Sequence, residues 1–276
     1  MEVITGLLSA LIGILSPAGT LTEAALEAAL NEQIHRAEVL AVRVDNRPAH
    51  NVLSGQLDGV RIAGRGVYPI PALRVALIDV ETDAIDVDAG QLLGGEVSLQ
   101  RPLQLVARVV VDVEDVNQAL RSPAVAAVLR DIGIGAMGSA VAGTSTQNAD
   151  LVDPQLAVVE NTIRLQGTLR EQASPLASGP SSDASARPVN ELDIAAEFSL
   201  DLENGYQISI NNPSLVANGV EFPVELLLPV IQGLNQQLDL RTFERQGITA
   251  RLLKLEATPD TLEAIAFVRV EPSALP

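Results

Sequence analysis

The chain contains no cysteine. That excludes disulfides, thiol nucleophiles and thiolate metal sites, and it leaves the redox compartment open. There is no tryptophan, and aromatic residues make up only 2 % of the sequence: two tyrosines, Tyr68 and Tyr206, and four phenylalanines. The two histidines, His35 and His50, stand far apart, so a zinc site or a histidine-based catalytic set has little to draw on. Positive charge is scarce. Eighteen basic residues, of which Lys254 is the single lysine, face 35 acidic ones, a formal net charge of −17. Such a chain lacks the cationic surface that gives nucleic-acid affinity, and it does not adhere to anionic bilayers by charge. No GxSxG elbow, P-loop lysine motif or HExxH pair occurs. Nor is there an apolar run of about 20 residues, the length that spans a bilayer. The longest, residues 3–15 (VITGLLSALIGIL), ends at Ser16-Pro17 and lacks a basic start. It reads as a buried helix, an interfacial helix or an atypical export signal.

What is abundant is aliphatic. Hydrophobic residues reach 47 % of 276, enough for one sizeable core, and the chain reads as a single domain over residues 1–276. Residues 190–210, NELDIAAEFSLDLENGYQISI, organise it. Leu192, Ile194, Ala196, Phe198, Leu200 and Leu202 share one parity; Glu191, Asp193, Glu197, Ser199, Asp201 and Glu203 share the other. A period of two means a strand with one apolar and one charged face. Asn204-Gly205 then suits a type I′ hairpin turn.

The other segments follow the same logic. Leu26, Leu30 and Ile34 stripe a helix over 22–38, and a strand starts at Val39. Residues 51–88 read as strands punctuated by Gly55, Gly59, Gly64 and Gly66, with a turn at Tyr68-Pro69-Ile70-Pro71. Residues 96–113 form a long strand leading into a helix through Val116 and Leu120 that restarts at Pro123. Residues 133–150 and 171–189, rich in small residues, read as flexible insertions. Residues 156–170 form a third long strand, and Asn211-Asn212-Pro213 a turn. Pro223 opens the last helix, which Pro229 bends. Strands at 248–256, with a bulge at Leu252-Leu253, and at 262–270 close the order. With no βαβ alternation, this is α+β: a long, strongly curled antiparallel sheet wrapped around amphipathic helices.

Three further clusters carry little chemistry. Gly133-Ile134-Gly135-Ala136-Met137-Gly138 matches GxGxxG, but it follows a helix and no βαβ unit surrounds it, so it reads as a connector. Glu81, Asp83, Asp86 and Asp88 lack EF-hand spacing and read as a solvated strand face. Arg43, Arg47, Arg61 and Arg65 offer forks to a phosphate headgroup, or pair with Asp45 and Asp58; pairing is the simpler reading.

The runs AVRVDNRPAHNVLSGQLDGVRIAGRGVYPIPALRVALIDVETDAIDVD (41–88), RPLQLVARVVVDVEDVNQAL (101–120) and LNQQLDLRTFERQGITARLLKLE (234–256) resemble the LmeA-like family of bacterial phospholipid-binding proteins, in its cyanobacterial branch. The resemblance implies a fold similar to the tubular lipid-binding superfamily, with an apolar tunnel for acyl chains between sheet and helices, and an association with the cell envelope. The expected function is non-enzymatic binding, with transfer, of a phospholipid or another acyl-chain lipid. The alternative is an interaction module with a filled core. The candidate tunnel lining is Leu103, Leu105, Val109, Val111, Leu192, Ile194, Phe198 and Leu200 on the strands, with Leu227, Ile231, Leu234 and Leu238 on the helix side. Arg61 and Arg65 are the candidate headgroup contacts. No cofactor, metal or nucleic acid is expected. The expected partners are a lipid and, transiently through residues 3–15, a membrane. The place is peripheral to a membrane or cytoplasmic, with the envelope as the family's alternative.

Overall fold

The structure is a computed structural model and describes residues 34–47, 55–88, 98–131, 149–171 and 191–274. The expectations for residues 3–15, for the GxGxxG run and for nearly all of both insertions lie outside these residues, as does His50.

Thirteen strands among the described residues form two large sheets and a small one. The first sheet holds β1 (Arg36–Asp45), β3 (Gly59–Ile70), β4 (Leu73–Thr82), β6 (Leu103–Asp112), β12 (Ile248–Ala257) and β13 (Thr261–Val270), in the order β1-β3-β4-β6-β13-β12. Every neighbouring pair is antiparallel. The second holds β7 (Ala149–Val159), β8 (Thr162–Glu171), β9 (Glu191–Glu203), β10 (Gln207–Ala217) and β11 (Val220–Glu221), in the order β11-β10-β9-β8-β7. The small β2 (Gln56–Leu57) pairs with β5 (Ile85–Asp86). Among the described residues three α-helices accompany them: α1 (Val113–Leu120), α2 (Pro123–Asp131) and α3 (Val224–Gln237), the last followed by a 3₁₀ segment at Leu240–Gln246.

The strand-rich α+β class is as expected. The single, strongly curled sheet is not: neither large sheet is closed or strongly curled. The physical reason lies in pairing. β6 takes β4 and β13 as neighbours, whereas β9 takes β8 and β10. The long one-faced strands therefore divide between two open sheets, and neither sheet has to wrap the whole interior.

Local corrections have equally local causes. The strand expected over 156–170 is a hairpin, turned at Glu160-Asn161, whose φ angles are 48° and 65°. β1 starts at Arg36, inside the expected helix. Asn211-Asn212-Pro213 does not end a strand; it is a bulge within β10, with Asn212 at φ 49°. Tyr68, Pro69 and Ile70 remain in β3, and the turn falls at Pro71-Ala72. The strand expected from residue 96 begins at Leu103, after an isolated bridge between Val87 and Leu99. α1 starts where Asp112, still extended, is followed by Glu114 and Asp115, whose charges suit a helix N-terminus.

The first sheet's core lies on one face. Across the strands, Val42, Ile62, Val80, Ala107, Ala266 and Leu252 stand in register. Leu103 and Val270 pair beside them, and Leu57, Ile85, Val87 and Leu99 cover that end. Leu103 is 1 % exposed, and its burial stabilises the fold by about 2 kcal/mol. The buried Thr82 hydroxyl accepts from Val60 N–H (2.9 Å) and donates to Asp83 C=O (2.9 Å), so this core carries a satisfied polar group.

Candidate functional site

Eight of the twelve candidate lining residues fall in three apolar clusters, and Val109, Val111, Leu234 and Leu238 lie outside them. Leu103 lies within the buried core of the first sheet, and Leu105 packs against it, half-buried. Val109 and Val111 continue the same face of β6 toward α1, also half-buried. Their neighbours are aliphatic: Val109 stands between Ile78 and Ala264, and Val111 stands opposite Leu262.

On the second sheet, Leu192 and Ile194 join Leu169, Leu215 and Ala217 in a cluster that α3 covers with Leu227 and Ile231. α3 forms here because Leu227, Ile231, Leu234 and Leu238 recur at helical spacing and Pro223 sits at its entry. Its far end is tied to β10: Asn235 Oδ1 accepts from Ile210 N–H (3.0 Å), and Gln207 Nε2 donates to Asn235 C=O (2.7 Å). Leu234 and Leu238 are half-buried at that end.

Phe198 and Leu200 belong to a third cluster, which the sequence did not reveal. It joins residues from both sheets: Val113, Val158 and Ile163 are buried, and Leu156, Phe198, Leu200, Ala257 and Leu262 pack on them. The two apolar faces therefore meet at the α1 end of β6. Asn117 fastens this junction. Its side-chain amide donates to Leu156 C=O (2.9 Å), and its Oδ1 accepts from Leu156 N–H (2.6 Å), so a helix side chain serves as the next strand for β7. A second tie runs from Leu252 N–H to Gly205 C=O (2.6 Å), joining β12 to the β9–β10 hairpin tip. The alternation of Ile163, Leu165 and Leu169 is visible in sequence; the hairpin that sets Val158 opposite Ile163, and their partners on α1 and β13, are not.

The structure does not bring Arg61 and Arg65 to these faces. Both alternate with Ile62 and stand on the opposite side of the first sheet, where Arg61 pairs with Glu81 (3.0 Å) and Asp45 (3.3 Å) and Arg65 with Asp79 (3.0 Å). The hydrogen bond that Arg61 donates to Glu81, then the charges of Glu81 and Asp45, raise the Arg61 pKa. A depression of about 460 Å³ lies on this charged side, between Arg43, Arg61, Glu81 and Arg108 with Ala41, Ala63 and Val106 as floor. The polar face of the second sheet is likewise paired, Arg164 with Glu197 (2.6 Å) and Arg170 with Glu191 (2.8 Å). Among the described residues no group of three or more acidic or histidine side chains is placed to hold a metal ion. No described helix is long and apolar enough to cross a membrane.

The two aliphatic sheet faces meet at this junction, and the arginine–carboxylate pairs lie on their far sides. A model of the LmeA-like phospholipid-binding family matches residues 15–267, nearly the whole length. The chain belongs to this family. Its description names phospholipid binding and no catalysis. No protein of curated function and no solved structure matches the chain.

Proposed function

We propose that this LmeA-like chain binds a phospholipid without chemically changing it, with the acyl chains laid along the two aliphatic faces where they meet. Transfer between membranes is the use this suggests. The observation that carries the reading is the family match combined with the junction cluster, in which residues of both faces pack together. Half-buried positions matter most, because they still have surface to offer: Leu105, Val109, Val111, Leu192, Phe198, Leu200, Ile231, Leu234 and Leu238. Ile194 and Leu227, nearly sealed, back them. Each acyl CH₂ removed from water contributes about 0.8 kcal/mol, so two ordinary chains bind tightly without a polar anchor. A headgroup contact at Arg61 or Arg65 would have to draw those guanidiniums away from their carboxylates.

A second reading, an interaction module with a filled core, is favoured by Leu103. At 1 % exposure, within a cluster that includes Val60, Val87 and Val270, it leaves no room at that end of the first sheet. One experiment separates the two. Protein purified without detergent is extracted with organic solvent and analysed by mass spectrometry, before and after incubation with liposomes. A stoichiometric two-chain lipid, lowered in Leu200→Asp and Leu234→Asp variants that still fold, is the expected result. A clean extract in both conditions would leave the filled-core module.

A further inference from the structure

We propose that the apolar tip made by β11 and the first two turns of α3 docks on the surface of a zwitterionic phospholipid bilayer. The choice of a phospholipid surface rests on the ligand proposed above; the tip itself is an independent observation.

A surface helix buries one stripe and presents charge on the other side. α3 does not. Leu227 points into the second sheet's cluster, yet Val224, Leu226 and Leu228, on both flanks of that stripe, are 41 %, 48 % and 45 % exposed. Val220, just before the helix, is 63 % exposed. From Val220 to Leu238 the chain carries two charges, Glu221 and Glu225, and no cation. Four large aliphatic side chains at one tip, half in water, call for a cover.

The chemistry of the cover follows from charge and size. An anionic surface is repelled by the two glutamates and by a net −17, with no basic residue on the tip to offset them. A second copy brings the same charge, and four half-exposed side chains fall far short of the roughly 800 Å² per partner that a stable dimer buries. At 14 residues α3 is too short to span a bilayer, so it lies in the interface, its aliphatic groups sinking roughly 5–10 Å. Neutral zwitterionic headgroups meet these conditions. The position is apt: Phe222, Leu227 and Ile231, on the same segment, pack on the proposed lining of the second sheet, so a lipid leaving the bilayer meets aliphatic surface at once.

The absence of tryptophan makes the test direct. Leu226→Trp and Leu228→Trp each place one reporter on the tip; Leu253→Trp, at a site 61 % exposed on β12, places one elsewhere. With phosphatidylcholine vesicles, emission from the two tip reporters shifts to the blue and is quenched by brominated lipid, whereas the β12 reporter is unchanged. The double variant Leu226→Ser, Leu228→Ser partitions onto the same vesicles about tenfold less than wild type. The inference is overturned if the tip reporters do not respond, if the β12 reporter responds equally, or if binding requires phosphatidylglycerol. It is overturned too if sedimentation shows a wild-type dimer that the serine variant breaks. Phospholipid loaded from dilute detergent, with no vesicles, tests the ligand separately. Loaded protein with silent tip reporters overturns docking alone. Empty protein whose reporters respond overturns the ligand and supports docking.

Discussion

Asn117→Ala is the substitution that most directly tests how the two sheets are held together. The amide makes two hydrogen bonds to one residue, at 2.9 Å and 2.6 Å, across from α1 to the edge of β7. Each is worth about 1 kcal/mol net. Leu156 is half-buried, so water replaces part of the loss, and the expected cost is about 2 kcal/mol. That corresponds to a fall in Tm of about 4–8 °C at this chain length. Hydrogen exchange at Leu156 should quicken, while exchange deep in β3 stays nearly as in wild type. Asn117→Asp sharpens the test. Its carboxylate still accepts from Leu156 N–H but faces the Leu156 carbonyl oxygen without a donor. It should therefore be at least as damaging at pH 7, and partly relieved below about pH 4, where the protonated acid can donate. Calorimetry of the three proteins across pH decides. If Asn117→Ala changes stability by less than about 0.5 kcal/mol, solvent satisfies Leu156 and the junction rests on the burial of Val113, Val158 and Ile163 alone.

Other expectations follow from single sites. Gly66 sits in β3 at φ 54°, and a Cβ there would strike the Glu38 carboxylate that holds Arg74; Gly66→Ala should cost about 1–2 kcal/mol in chemical denaturation. Tyr206 lies under Arg241 at 4.5 Å and Arg251 at 5.2 Å, and Tyr206→Leu should cost about 1 kcal/mol by the same measurement. Glu263 is held below the usual carboxylate range by its hydrogen bonds to Lys254 and Arg108. A depressed pKa stabilises the fold above the unfolded-state value, about 4.3, and that contribution disappears as pH falls through the lower folded value. Stability measured from pH 5 to pH 2 should therefore fall less steeply in Glu263→Gln than in wild type.

Some of this fold could be read directly from residue order. The alternation of β9 and the Asn204-Gly205 turn, with φ angles of 53° and 76°, need only their own neighbours. So does the bulge at Leu252-Leu253, where the pairing with β13 shifts. What failed was of two kinds. Asparagine reaches positive φ without glycine, so Glu160-Asn161 turned a strand that alternation alone continued, and Asn212 made a bulge that its proline neighbour disguised as a turn. The larger error concerned partners. Period two shows that a strand has an apolar face but not which strands lie beside it, so it does not separate β6 from β9 into different sheets. The arginines of β3 show the same limit. Parity sets Arg61 and Arg65 opposite Ile62, yet their carboxylates, Glu81 and Asp79, come from a neighbour that only pairing reveals. The candidate lining was legible as apolar positions; the junction that connects it was not.

The order of strands in the first sheet bears on how the chain is made. Leu103 pairs with Val270, so that sheet joins residues far apart in the sequence. The second sheet, by contrast, is built wholly from residues 149–221, between the two halves of the first. On a ribosome, β6 emerges early and waits with one edge unpaired until β13 follows, while the second sheet can close in the interval. An open aliphatic strand of this kind invites pairing with another chain. β13 thus decides whether β6 is protected, and nascent chains stalled before residue 261 should aggregate more readily than chains that already contain β13.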